Sequence, residues 1–130
     1  MISAIYASSL ALLFSWLSLR VIGLRRQHRI RYGDGGNQVL VIARSAQSNA
    51  AQYIPPGLIL LFALEVNNAP VALIHAAGAA LLSGRLLHAF GILNERLNLR
   101  VLGMQLTLGT IIGLALMNLV YAPYTRLFSD

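Results

Sequence analysis

At 130 residues the chain has room for one domain, yet 57% of its residues are hydrophobic and only 11% are charged, a balance that sets it apart from ordinary soluble domains and points to a bilayer as its solvent. It has no cysteine, which excludes a disulfide scaffold, cysteine-ligated zinc and a thiol nucleophile of its own. The net charge of +6 is carried by arginines gathered at the ends of apolar runs, an arrangement that suits membrane topology and leaves no soluble basic domain for nucleic acid.

Four apolar runs, Ile2 to Leu19, Val39 to Leu64, Pro70 to Leu93 and Val101 to Tyr121, each come close to the roughly 20 residues that a spanning helix needs. They predict an all-α integral membrane protein, a bundle of four transmembrane helices in a single membrane domain over residues 1–130. The first run carries no charge, and a short loop then supplies Arg20, Arg25, Arg26, Arg29 and Arg31, a strong cytoplasmic marker. Because the arginines follow the apolar run, it reads as an uncleaved anchor and not as a signal peptide. Tyr32-Gly33-Asp34-Gly35-Gly36-Asn37 predicts a compact reversal, since its three glycines permit positive φ. No Gly-Lys-Ser/Thr follows, so it is not a phosphate-binding loop.

The second run is interrupted by Arg44, Ser45, Gln47, Ser48, Asn49, Gln52 and Tyr53 before it reaches Pro55-Pro56. On a helix, Ser45, Asn49, Gln52 and Tyr53 stand at i, i+4, i+7 and i+8 and share one face, which predicts a membrane helix with a wet side. A polar link from Glu65 to Pro70 lies opposite the arginine loop. The third run then contains Ala76, Ala77, Gly78, Ala79, Ala80, Ser83 and Gly84, small enough for close helix approach, and ends with Arg85 and His88 one turn apart. His75, near its other end, is expected to be interfacial. Glu95 to Arg100 form the second cytoplasmic link, and Gly109 and Gly113 in the last run have the spacing of a helix-association seam. Tyr121 and Tyr124 suit the interfacial aromatic belt, followed by Arg126 and Asp130 in water. Both termini are thus expected to be non-cytoplasmic.

At a rise of about 1.5 Å per residue, Ser45 to Tyr53, Arg85, His88 and Arg100 all fall in the cytoplasmic half of the bundle. An intramembrane arginine costs roughly 2.5 to 3.5 kcal/mol at mid-span, so Arg44 and Arg85 are expected to face a cavity, a partner or the headgroups. Only Glu65 and Glu95 lie near the spans, so there is neither a carboxylate pair for acid/base chemistry nor a counter-charge for the arginines. A site built from Arg44, Asn49, Gln52, Tyr53, Arg85, His88 and Arg100 is suited to a polar anion, with an apolar second substrate arriving from lipid.

The succession Tyr32 to Asn37, Asn49-Ala50-Ala51-Gln52-Tyr53-Ile54-Pro55, His75, Gly84-Arg85-Leu86-Leu87-His88 and Arg100-Val101-Leu102-Gly103-Met104 resembles the MAPEG family, the membrane-associated proteins of eicosanoid and glutathione metabolism, in its bacterial type. The resemblance covers nearly the whole chain. It implies a four-helix protomer, a homotrimer in a bacterial inner membrane, and glutathione as co-substrate, held between subunits on the cytoplasmic side. Asn49 and Tyr53 match the family's helix-two glutathione contacts and His88 a helix-three contact, and Arg100 stands near the position of the arginine that stabilises the thiolate. No metal is implied. The family pattern places an arginine four residues before the asparagine and an acid three after it, where this chain has Ser45 and Gln52. Two function classes follow: a membrane-bound glutathione transferase that conjugates lipophilic electrophiles or reduces lipid hydroperoxides, with Arg100 as its catalytic residue, or a non-catalytic lipid-binding or scaffold protein. A small transporter subunit finds no broken-helix pair or internal repeat to support it.

Overall fold

The computed structural model describes residues 1–124, all helix and connecting turns. Four helices follow one another, α1 (Ser3–His28), α2 (Gln38–Val66), α3 (Val71–Leu93) and α4 (Leu97–Tyr121). Arg126 and Asp130, expected in water after the last span, lie outside the described residues.

Among the described residues three helices, α1, α3 and α4, are long and apolar enough to cross a membrane. The longest, α2 with 29 residues, is not in that group, because the stripe from Arg44 to Gln52 dilutes its apolar content. Of the four spans expected from the sequence, three therefore qualify by length and apolar content.

Helix α1 also runs further than its apolar run, to His28, so Arg20, Arg25 and Arg26 stand on the helix and not in a loop. Arginine and leucine sustain a helix well, and no proline precedes Arg29, whose left-handed φ of 53° ends it. The reversal that follows has the expected form, with positive φ at Gly33, Gly35 and Gly36. Asn37 then caps α2, its side chain accepting the Leu40 N–H at 3.0 Å.

The N-terminus of α1 has no side-chain cap of its own and no acid in its first turn. Glu65, at the far end of α2, serves instead, its carboxylate accepting the Ile2 N–H at 2.5 Å and the Ser3 N–H at 2.8 Å. A negative group there complements the positive end of the helix dipole and satisfies two otherwise unpaired donors. It also ties the start of α1 to the end of α2, so the two helices run antiparallel.

α2 and α3 form the middle of the bundle, with α1 packed on both from one side and α4 on both from the other. Leu10 and Leu17 of α1 meet Ala46, Ala50 and Ile54 of α2 and Leu81, Ala89 and Ile92 of α3 in the main core cluster. A second cluster joins Leu61, Leu64, Ile74, Ala77 and Leu114 toward the other end.

The α3 to α4 contact is the most extensive, and glycine makes it possible. A methyl group on Gly103 would lie 2.7 Å from the Gly84 carbonyl oxygen and 2.7 Å from the His88 Cα. One on Gly91 would lie 2.8 Å from the Arg100 Cα. Backbones therefore approach without intervening side chains, as small residues allow within a bilayer. Gly78 plays a similar part toward α1, where the Tyr6 ring lies across it. Gly109 and Gly113, expected at a helix-association seam, have nothing within 4 Å where a Cβ would stand. Among the described residues of the protomer that seam is unused.

Candidate functional site

The polar stripe of α2 faces outward and forms one wall of an open cleft of about 490 Å³, lined by Arg44, Ser45, Gln47, Ser48, Asn49 and Gln52 with Asp34 from the preceding turn. The helical period alone accounts for much of this clustering, since positions 45, 48, 49 and 52 lie on one side. Ser45 turns its hydroxyl back to the Val41 carbonyl at 2.9 Å, which leaves its part of the wall short. Two prolines follow inside the helix, at positions 55 and 56. Neither has an N–H, so the carbonyls of Ala51 and Gln52 lose their usual donors one turn on.

A second cleft, of about 340 Å³, opens beside the first between the start of α2, the end of α3 and the start of α4. Gln38, Ser45, Glu95 and Arg100 supply its polar groups. The two clefts share Val41 and Ser45 and so adjoin, with Arg44 lining one and Arg100 the other. Helix α4 begins at Leu97, which places Arg100 in its first turn, held close to α3 by the contact at Gly91.

Arg85 takes a different position. It is only 2% exposed and points inward, where its Nη1 donates to the Asn49 Oδ1 at 2.6 Å and its Nε to the Thr107 Oγ1 at 3.1 Å. Its guanidinium also sits over the Tyr53 ring, 5.4 Å from the centroid, in a cation–π arrangement. Thr107 in turn donates to the Gly103 carbonyl at 2.8 Å. One arginine thus ties α2, α3 and α4 together. Its Nη2 is buried without a hydrogen-bond partner.

His88 is buried as well, one turn from Arg85, where α3 lies closest to α4. The residues singled out in the sequence therefore fall into two groups. Arg44, Gln52 and Arg100 line the open clefts, Arg85 and His88 are enclosed, and Asn49 belongs to both, with Tyr53 under the buried guanidinium. His75, expected at an interface, is exposed near the opposite end and bonds the Tyr6 hydroxyl through Nδ1 at 2.8 Å.

Thr107 and Asp34 were not evident as members of this arrangement from the sequence. A lone threonine in an apolar span resembles a helix filler, because it can return its own hydroxyl to the turn before. Asp34 sits in a glycine turn whose geometry, and not its composition, brings it beside α2.

The Arg85 to Asn49 bond carries a definite expectation. Hydrogen bonds to a charged group contribute about 1.5 to 3 kcal/mol, so Asn49→Ala should destabilise the protein by about 2 kcal/mol. Asn49→Asp, which retains the acceptor and adds a counter-charge, should be at least as stable as the native chain. Thermal unfolding in detergent checks both. A neutral Asn49→Ala would mean that the bond contributes nothing to stability.

The comparisons with known proteins agree with this architecture over almost its whole length. The family model described as MAPEG family matches residues 3–120. The inner membrane protein YecN of Escherichia coli strain K12 is 39% identical over 129 residues, covering 99% of this chain and 98% of that protein. The protein of the same name from Escherichia coli O6:H1 has the same identity and coverage. The chain, an all-helical membrane protein with its polar cleft on α2, therefore belongs to the MAPEG family.

Proposed function

We propose that this protein is a glutathione-dependent transferase or peroxidase of the inner membrane, acting on lipophilic electrophiles or lipid hydroperoxides. The observation that carries this reading is the pair of adjoining polar clefts at the outer face of α2, with Arg44 in one and Arg100 in the other. Glutathione has two carboxylates and one ammonium group. The clefts offer it two arginines, while Asp34 and Glu95 can accept from the ammonium. Asn49, held by Arg85, presents a fixed polar edge. In water a thiol of pKa about 8.5 is mostly protonated, and a nearby guanidinium favours the thiolate, which is the role assigned to Arg100.

Both clefts open at the protomer surface, so a second subunit would close them. A homotrimer with α2 crossing the membrane as a fourth span, its polar side against a neighbour, meets the requirement that such a side avoid lipid. The test combines assembly and chemistry: the detergent-solubilised protein should have the mass of a trimer in native mass spectrometry and bind glutathione in calorimetry. Arg100→Ala should then abolish conjugation to a generic aromatic electrophile. A protein that neither binds glutathione nor conjugates it would favour the second reading, a non-catalytic lipid-binding or scaffold protein, for which the uncharged Ser45 and Gln52 are the supporting observation.

The orientation follows from charge, with the arginine-rich end of α1 in the cytoplasm and both chain termini on the other side. Reporter fusions after Asp130 should be active only outside the cytoplasm. Cytoplasmic activity would reverse the topology.

A further inference from the structure

The arginines at the C-terminal end of α1 take no part in either cleft on α2. They surround a separate groove of about 600 Å³, where Arg26, Arg29 and Arg31 stand beside Ile22, Ile30 and Tyr32. Arg25 shapes this groove, because its Nη1 donates to the Gly33 carbonyl at 2.9 Å and so holds the turn against the helix end. The Ile30 side chain packs over Gly35, where a Cβ would lie 3.1 Å from it. Arg26, Arg29 and Arg31 are exposed, as is Tyr32 at 89%. Asp34, the acid in this turn, accepts the Gly36 N–H at 2.9 Å and lines the α2 cleft instead.

Depth places the groove. A hydrocarbon layer of about 30 Å takes roughly 20 helical residues, which counted from Ile2, where the apolar run begins, end at Val21. Arg25 and the residues after it then stand at headgroup level, beyond the Trp16 ring that lies under Arg20. We propose that this groove binds the headgroup of an anionic glycerophospholipid, with Arg26, Arg29 and Arg31 around the phosphate and Ile22 and Ile30 against the start of the acyl chains. Cationic clusters next to a spanning helix attract anionic lipid. The apolar residues beside the charges suit an amphipathic molecule better than free phosphate, which has nothing to bury there. This site is independent of the glutathione reading and stands or falls apart from it.

The experiment uses the purified full chain in zwitterionic detergent, titrated by native mass spectrometry with phosphatidylglycerol or with phosphatidylcholine of the same acyl chains. Phosphatidylglycerol is expected to bind at least tenfold more tightly. The variant Arg26→Gln, Arg29→Asn, Arg31→Gln removes three charges, and asparagine suits the left-handed backbone at position 29. It should weaken phosphatidylglycerol about a hundredfold and leave phosphatidylcholine unchanged. Should that variant fail to fold, the single exposed change Arg31→Gln should weaken phosphatidylglycerol about fivefold. Soluble glycerol phosphate should not displace the lipid. Equal affinity for the two lipids, or no loss in the folded variants, would overturn the proposal. Full displacement by glycerol phosphate would also overturn it, assigning the groove to free phosphate.

Discussion

Gly103→Ala is expected to destabilise the protein by about 3 kcal/mol, the upper part of the range for overpacking, because the added methyl meets backbone and not the movable end of a side chain. The Gly84 carbonyl oxygen and the His88 Cα would both lie 2.7 Å from it, with the His88 backbone nitrogen closer still, so α3 and α4 must separate to admit it. Separation also lengthens the bond between the Arg85 Nε and the Thr107 Oγ1, now 3.1 Å, and so loosens the buried guanidinium. Gly109→Ala supplies the contrast. Nothing lies within 4 Å of its Cβ position, and alanine exceeds glycine in helix propensity by up to about 1 kcal/mol, so the protomer should be unchanged or slightly more stable. Thermal unfolding of both variants in one detergent decides the matter. Equal losses at the two positions would mean that the protomer's own α3 to α4 contact is not what limits its stability.

The second large effect concerns ligand affinity and rests on the proposed glutathione reading. Ser45 stands where the two clefts meet, and Gln52 lines the first of them, as does Arg44. An arginine at position 45 and a carboxylate at position 52 would each add a charge-assisted hydrogen bond, and such bonds contribute about 1.5 to 3 kcal/mol where water is excluded. Open clefts reduce that figure, and a neighbouring subunit restores it. Ser45→Arg with Gln52→Glu is therefore expected to tighten glutathione binding by about 3 kcal/mol, close to a hundredfold if the two act independently. Calorimetry on the native and double variants measures the gain. Tight native binding with no gain would show that Arg44 and Arg100 already supply the contacts, while weak binding in both would place the anion site elsewhere.

Much of this molecule is legible in its sequence, for a local reason. Apolar length marks α1, α3 and α4, the glycines at 33, 35 and 36 mark the reversal, and the polar side of α2 emerges from the helical period within a single element. The family resemblance, too, rests on short motifs in a fixed order, and the match over residues 3–120 agrees with it.

Rotation of each helix against its neighbours is another matter, and only the tertiary structure decided it. Gly103 and Gly109 differ by about 120° around α4, which separates a backbone contact with α3 from an open surface. Arg44 and Arg85 are both arginines in apolar runs, yet one faces outward into a cleft and the other is enclosed between Asn49, Tyr53 and Thr107. Glu65 reads as part of a polar link until the fold brings the start of α1 to its carboxylate. In a soluble helix the core side is the apolar side, so the sequence reports its orientation. Here the sides that meet lipid and the sides that meet other helices are both apolar, and the rotation is decided by close packing and by where the few polar groups find partners.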